Sequence, residues 1–174
     1  MSTPQAANLL SQSAAKKNLS QFVGFQVAGQ EYAFRIEQIQ EIVILDKVTK
    51  TPQVPDYVEG VSNLRGSIIP IINLRRLFGL EPKPVDEQTR TIVVNIGQRT
   101  MGCTVDMVSQ VMRIPDEDIQ PAPETVTANG AGYVAGFARQ NGRLMVLLDI
   151  DELLDPKKLE QVSQSALQEL NKLA

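Results

Sequence analysis

Two related stretches of sequence decide the fold: Tyr57–Phe78, YVEGVSNLRGSIIPIINLRRLF, and Tyr133–Leu154, YVAGFARQNGRLMVLLDIDELL. A shift that places Tyr57 on Tyr133, 76 residues later, aligns the two without a gap. Asn73 then falls on Asp149, and either residue type can cap the start of a helix. A repeat of this length indicates a fold that is built from two similar structural units. The residues of the first copy that are identical in the second are Tyr57, Val58, Gly60, Gly66 and Leu77.

The segments upstream of these stretches also repeat, at a spacing of 69 residues. Each repeat supplies about five short strands and a short helix, which suits a small barrel. We therefore predict a mainly β fold in which two five-stranded barrels, one from each repeat, lie side by side. A groove between two related units is a natural binding site. The upstream pairs include Phe25 with Val94, Ile39 with Val108, and Glu41 with Gln110.

The chain is predicted to have three parts. Residues 1–19 show no periodicity and are expected to form a flexible N-terminal tail. Residues 20–155 contain both repeats and form the folded domain. Residues 156–174 are predicted to form a C-terminal amphipathic helix, because Asp155 and Pro156 suit a helix start and apolar residues then recur on one face. Such a helix most often packs on its own domain.

Local signals refine the interior of the domain. Asn73 is placed to cap a short helix over Leu74–Phe78. Arg75 and Arg76 are expected to be isolated, exposed residues of that helix with little functional meaning. Residues 116–132 are polar, contain proline and end in Ala-Asn-Gly-Ala-Gly, which predicts a long flexible connection.

The composition argues against several classes of protein. The chain has 174 residues, of which 43% are hydrophobic, so it can bury a core. Its net charge of −3 and aromatic content of 5% argue against an OB-like or SH3-like nucleic-acid binder. No window approaches the roughly 18 apolar residues of a membrane-spanning helix. The N-terminus lacks the apolar core of a secretory signal, so we expect a cytoplasmic protein.

The chain has no histidine and one cysteine, Cys103. Catalytic triads that use histidine, zinc knuckles and internal disulfides are therefore excluded. Cys103 lies in an alternating strand, which predicts a core residue. Asp149 and Asp151 form the best carboxylate pair for acid–base catalysis, but charge at a helix start explains them more simply. A binding role is favoured, and a small carboxylate enzyme is the alternative from another class.

Arg65 is the most informative polar residue, because it lies in a tight connection between two apolar strands. Its repeat counterpart is Asn141, while that of Glu41 is Gln110, so this pair is charged in the first repeat and neutral in the second. A partly buried arginine needs a partner, and Glu41 is the obvious one. The pair has two interpretations: a surface ion pair worth about 0–1 kcal/mol, or a polar anchor within an apolar interface.

Several segments resemble the CheW family of bacterial chemotaxis coupling proteins. They are EYAF at residues 31–34, IQEI at 39–42, and above all GVSNLRGSIIPIINLR at 60–75. YVAG at 133–136 and LLDI at 147–150 resemble the family's closing segment. The resemblance covers about residues 20–155. Asn73 departs from it, since such sequences usually carry Asp there, but both residue types cap helices.

The resemblance implies two SH3-like five-stranded β-barrels and an adaptor without catalytic activity or cofactor. Such an adaptor would couple the cytoplasmic tips of methyl-accepting chemoreceptors to the regulatory domain of the histidine kinase CheA. Other CheW-like chains are further implied partners in rings, whereas nucleic acid and direct membrane insertion are not. The protein would be recruited to membrane-associated receptor arrays. An adaptor of the same family in a non-flagellar pathway, such as pilus motility or biofilm control, is the alternative.

The resemblance also implies which residues dock on the receptor and the kinase. Arg65 and Glu41 would form the polar pair of the docking region. Ile39 and Val108 would line the apolar groove that takes the receptor's helical hairpin. Gly60 and Gly66 would allow close approach of the backbone. The full set is Ile39, Glu41, Ile42, Gly60, Asn63, Leu64, Arg65, Gly66 and Val108.

Overall fold

A computed structural model describes residues 18–127 and 132–155. Across these ranges the chain forms eleven strands and three short helices, with single 3₁₀ turns at Ile36–Gln38 and Asp116–Asp118. The helices are α1 (Leu74–Leu77), α2 (Glu124–Thr127) and α3 (Ile150–Leu153). The strands are β1 (Leu19–Val27), β2 (Gln30–Arg35), β3 (Ile39–Val43), β4 (Val58–Leu64), β5 (Ser67–Asn73), β6 (Arg90–Ile96), β7 (Arg99–Val105), β8 (Met107–Pro115), β9 (Gln120–Pro121), β10 (Val134–Gln140) and β11 (Arg143–Leu148).

The strands form two sheets with one plan. Sheet I has the order β3-β6-β7-β5-β4, and sheet II has the order β8-β1-β2-β11-β10-β9. Replacing each strand of sheet I by its repeat counterpart gives β8-β1-β2-β11-β10, which is sheet II without the two-residue β9. The predicted mainly β class is therefore confirmed. The SH3-like form of each unit stays a prediction.

The prediction that each repeat forms its own barrel is wrong, because the two repeats exchange hairpins. The β1–β2 hairpin belongs to the first repeat but lies inside sheet II, and the β6–β7 hairpin of the second repeat lies inside sheet I. The spacing of a repeat is the same with or without such an exchange, so the sequence does not reveal it. Neither repeat contains a complete sheet, and the two halves of the chain depend on each other.

The register of the strands follows the repeat closely. Ile39 lies opposite Val94 in sheet I, and the counterparts Val108 and Phe25 lie opposite each other in sheet II. Beyond β3 the chain turns back to the far edge of sheet I, where Thr49 and Val61 exchange backbone hydrogen bonds of 2.8 and 2.9 Å. The pairing of β9 with β10 does the same in sheet II. The two edges of each sheet are thereby connected.

Three apolar clusters form the core. The largest combines side chains of both sheets, with Phe25 from sheet II and Cys103 from sheet I fully buried in it. The prediction that Cys103 is a core residue is confirmed. Because this cluster is shared, the sheets are fixed against each other by apolar burial. The two smaller clusters are Phe22, Ala33, Met112, Ile114, Ala138, Met145 and Leu147 of sheet II, and Ile69, Ile71 and Val93 of sheet I.

Some predicted limits differ from the structure. β1 begins at Leu19, inside the predicted tail, while the rest of the tail and the helix predicted at 156–174 lie outside the described residues. The connection predicted to be flexible holds a 3₁₀ turn, β9 and α2 within its described part. Asn73 caps α1 as predicted, because its side-chain oxygen accepts a hydrogen bond from the Arg76 N–H at 3.3 Å. No helix in the described ranges is long and apolar enough to span a membrane.

Candidate protein-docking site

The predicted pairing of Arg65 with Glu41 is confirmed. Glu41 lies on β3 and Arg65 on the turn between β4 and β5, so the two come from opposite edges of sheet I. Arg65 Nη2 is 2.6 Å from Glu41 Oε2, with the side chain of Arg65 74% exposed and that of Glu41 17% exposed. The pair therefore joins the two edges of the sheet while it presents a guanidinium group to solvent.

The turn that carries Arg65 has an unusual backbone for an arginine. Arg65 and Gly66 have φ angles of 51° and 89°, which places both in the left-handed region. Such turns favour Asn-Gly, and the counterpart turn does contain Asn141 and Gly142. Asn63 stabilises the first turn, because its Oδ1 accepts a hydrogen bond from the Gly66 N–H at 2.9 Å. An arginine thus occupies a position where an asparagine would fit the backbone better.

Glu41 brings a charged group to a mostly buried position. Its Oε2 pairs with Arg65, whereas its Oε1 is a buried atom without a hydrogen-bond partner among the described residues. A buried acceptor without a partner lowers stability. Arg65 is exposed, so a binding partner that contacts its guanidinium group would also change the electrostatic potential at the Glu41 carboxylate.

Two exposed apolar residues lie close to the ion pair in the sequence. Ile42 follows Glu41 on β3, and Ile68 lies opposite Asn63 at the start of β5, 64% exposed. Ile68 was not among the predicted docking residues, although its place two residues after Gly66 could have signalled it. We call the group of Glu41, Ile42, Arg65 and Ile68 the Arg65 end.

The exposed apolar positions recur in the second repeat. The counterpart of Ile42, which is 38% exposed, is Val111, and that of Ile68 is Leu144; both counterparts are more than half exposed. Each repeat therefore exposes apolar side chains at the same two positions.

The remaining predicted docking residues have other surroundings. Gly60 is buried, and a Cβ atom there would clash with the carbonyl oxygen of Thr49. The close approach that Gly60 allows is therefore within the chain, which corrects the expectation that it makes room for a partner. Leu64 packs against the core cluster of sheet I. Ile39 and Val108 are half-buried against the shared cluster at equivalent places in the two sheets.

Arg75 was wrongly predicted to be an isolated surface residue. Its Nε and Nη2 donate to the two carboxylate oxygens of Asp106 at 2.8 and 2.7 Å, and both side chains are largely buried. Asp106 lies between β7 of sheet I and β8 of sheet II and also accepts the Ala28 N–H at 2.8 Å. Burial acts to raise the pKa of Asp106, but the hydrogen bonds from Arg75 and Ala28 hold it below its usual range. The pair thus fixes the crossing between the sheets.

The residues considered for catalysis have structural partners. Asp149 caps α3 by accepting hydrogen bonds from the backbone N–H groups of Asp151 and Glu152 at 3.0 and 3.4 Å. Asp151 accepts a hydrogen bond of 2.9 Å from Gln38 Nε2. Burial raises the pKa of the Cys103 thiol to about 12, which suppresses its nucleophilic form. The described residues contain no group of three or more potential metal ligands of the Cys, Asp and Glu type.

Comparison with known proteins identifies the family. The CheW-like domain family matches residues 21–158. The chain belongs to the CheW family. It is 39% identical to the chemotaxis protein CheW of Klebsiella aerogenes over 84% of this chain and 88% of the relative. It is 40% identical to the chemotaxis protein CheW of Helicobacter pylori over 77% of this chain and 81% of the relative.

A solved CheW structure shows the same fold. The crystal structure of the scaffolding protein TtCheW from Thermoanaerobacter tengcongensis superimposes with a TM-score of 0.73 at 31% identity, and it covers 80% of this chain and 94% of that chain. The role of this CheW-family chain is that of an adaptor or scaffold in chemotaxis. Relatives named for chemotaxis favour this role over a separate pilus or biofilm pathway.

Proposed function

We propose that this CheW-family chain couples the cytoplasmic tips of chemoreceptors to the regulatory domain of the histidine kinase CheA. It does so by holding the two in position and performs no catalysis. It works in the cytoplasm, where receptor arrays at the membrane recruit it and where other CheW-like chains join it in rings. The docking residues are Ile39, Glu41, Ile42, Asn63, Leu64, Arg65, Gly66 and Val108.

The observation that carries this proposal is the exposed guanidinium of Arg65 at a left-handed turn position, paired with Glu41. Folding alone would favour asparagine at a left-handed turn position, as in the counterpart Asn141. Residues held in sparsely populated backbone regions cluster at functional sites. Arg65 therefore acts as a polar anchor that fixes the orientation of a partner, and the exposed Ile42 and Ile68 supply apolar area to the same docking surface.

Ile39 and Val108 suit the binding of a helical receptor tip. Both are β-strand residues with one side against the shared core and part of the side chain accessible. Apolar residues of this kind can pack against the apolar face of a helix. Each Å² of apolar area that is buried in this way stabilises the complex by about 25 cal/mol. Because the two residues belong to different sheets, binding of a helix that contacts both would depend on how the sheets are placed relative to each other.

The absence of catalysis is supported by the surroundings of the acidic residues. Asp149 is occupied as a helix cap and Asp151 by Gln38. An Asp149→Asn and Asp151→Asn double variant should then change stability at α3 and leave coupling intact. An activity that is lost in this variant, with the fold retained, would support the carboxylate enzyme instead.

A reconstitution tests the proposed function directly. Purified wild-type chain, a receptor cytoplasmic fragment and full-length CheA are combined on vesicles, and co-sedimentation and kinase activity are measured. We expect the chain to bind both partners and to make kinase activity depend on the receptor. If the folded chain binds neither partner, the proposed function is wrong.

A further inference from the structure

One turn of sheet II contains an asparagine that is followed directly by a glycine. Asn141 and Gly142 form the two-residue turn between β10 and β11, next to the paired residues Gln140 and Arg143. Their φ angles are 52° and 76°, both in the left-handed region that such a turn requires. The pair therefore suits the backbone, but it also combines two residue types that can react with each other.

The reaction joins the side chain of Asn141 to the backbone of Gly142. The backbone nitrogen of Gly142 attacks Cγ of Asn141 and forms a C–N bond, while its proton passes to the side-chain amide nitrogen, which leaves as ammonia. Water then opens the succinimide ring at either carbonyl carbon, with hydroxyl added to carbon and hydrogen to nitrogen as the C–N bond breaks. The products are aspartate and isoaspartate, and nothing is oxidised or reduced. Glycine favours the attack because it has no side chain in the way.

The surroundings of Asn141 leave it open to this reaction. Both turn residues are exposed, and a Cβ atom at Gly142 would meet nothing within 4 Å. The side chain of Asn141 forms no hydrogen bond with another residue of the described ranges, so nothing there holds its amide away from the Gly142 nitrogen. The attack also needs the backbone of the turn to rotate, and the tip of a hairpin can make such a change locally.

The other asparagines in the described ranges are better protected. Each is followed by leucine or isoleucine, whose side chain hinders the attacking nitrogen. Three of them, Asn63, Asn73 and Asn95, also accept hydrogen bonds on their side-chain oxygens at 2.9, 3.3 and 3.0 Å. The full set is Asn18, Asn63, Asn73 and Asn95.

We propose that Asn141 is a site of spontaneous deamidation, at which a carboxylate replaces the side-chain amide. Either product adds one negative charge to a chain whose net charge is −3. Asn141 lines a cleft of about 320 Å³ together with Gln110 and Arg143. The nearest ion-pair contact of Arg143 is a distance of 3.5 Å from its Nη1 to Glu31 Oε1. Deamidation therefore places a new carboxylate in the same cleft as a weakly paired cation, and it does so without any of the proposed partners.

The test follows the full-length wild-type chain, kept folded at mildly alkaline pH, by peptide mapping and mass spectrometry. Deamidation raises the mass of a peptide by about 1 Da. An isoaspartate-specific methyltransferase marks the second product. Asn129 also precedes a glycine and lies outside the described residues, but cleavage at Arg139 puts it on a different peptide from Asn141.

Three controls accompany the wild-type chain. Asn95 is the internal control, because it lies in the same molecule and is followed by Ile96. The matched variant is Asn141→Gln, since glutamine forms its larger ring much more slowly, and thermal unfolding checks that the variant is folded. The same chain unfolded in urea gives the rate for the sequence without the fold.

We expect Asn141 in the folded chain to be converted about tenfold or more faster than Asn95, and to yield both aspartate and isoaspartate. Asn141→Gln should lose the mass change from this peptide. An Asn141 that is stable in the folded chain but converted in urea would overturn the proposal, because the fold would then protect the site. Conversion without isoaspartate would overturn the attack by the Gly142 nitrogen, and so would a mass change at the wild-type rate in the Asn141→Gln peptide.

Discussion

Arg65 and Glu41 meet at 2.6 Å across the line where the two edges of sheet I come together. The contact joins the two edges of the sheet and presents a guanidinium group to solvent. Its exposed half is the guanidinium group, and its protected half is a carboxylate with one buried oxygen that has no partner in the described part of the chain. Variants of this pair can therefore show separately how much it contributes to the stability of the fold and to the binding of a partner.

Two neighbouring arginines should differ strongly in their effect on stability. Arg75→Ala removes a bidentate, largely buried pair with Asp106, and we expect the free energy of unfolding to fall by about 1.5–3 kcal/mol. Arg76→Ala removes a contact to the highly exposed Asp56 and should cost about 0–1 kcal/mol. Urea denaturation of both variants measures the difference. Equal effects would show that Arg75 does not fix the crossing between the sheets.

The contribution of Asp106 to the free energy of unfolding should depend on pH. Because its pKa is lowered in the folded chain, its stabilising effect is complete above the ordinary carboxyl pKa of about 3.9. It is lost as the pH falls through the lower pKa of the folded state. Wild type should therefore be more stable than Asp106→Asn at pH 7, with the difference narrowing below about pH 4. A difference that stays constant between pH 7 and the acid range would contradict this assignment.

Two glycines should tolerate alanine unequally. Gly66 has a φ of 89° and open space around it, so Gly66→Ala should cost about 1–2 kcal/mol from the backbone alone. Gly60 has a φ of 151° and the backbone of Thr49 against it, so Gly60→Ala should cost about 2–4 kcal/mol. Chemical denaturation provides both values. A smaller effect at Gly60 than at Gly66 would show that the contact with Thr49 is easily relieved.

Exposed apolar residues at the Arg65 end should matter for binding and not for folding. Ile68→Thr keeps a β-branched side chain but removes apolar area, and we expect affinity for the partner at this end to fall about fivefold or more. Val85→Thr is the matched control, because Val85 is 76% exposed and lies in the loop before β6. Affinities for the receptor fragment and the CheA regulatory domain are measured with both variants. No loss with either partner for Ile68→Thr would remove Ile68 from the docking surface.

Much of the fold, and the pairing of Arg65 with Glu41, could be predicted from the sequence. Alternating apolar residues, the Asn73 cap and the doubled Tyr-Val-x-Gly stretch predict most strands and α1, because these signals are local. The partner of Arg65 could be inferred because the charges at both positions disappear together in the second repeat. The family resemblance implied a docking role for the pair, which stays a prediction.

Other features could not be predicted because they depend on long-range contacts. The exchange of the β1–β2 and β6–β7 hairpins leaves the repeat spacing unchanged, so no local signal records it. Arg75 looked like an ordinary surface residue, since Asp106 is brought to it only by the crossing between the sheets. The protected position of Gly60 likewise depends on the chain returning to the sheet edge at Thr49.

The most direct test of the account is kinase activation by the Arg65→Asn variant in the reconstituted receptor array. Asparagine suits the left-handed turn, as in Asn141, so the free energy of unfolding should stay within about 1 kcal/mol of wild type. We predict that receptor-dependent kinase activity falls about tenfold or more because the polar anchor is lost. A folded variant that activates the kinase as well as wild type would contradict the role of Arg65 in coupling.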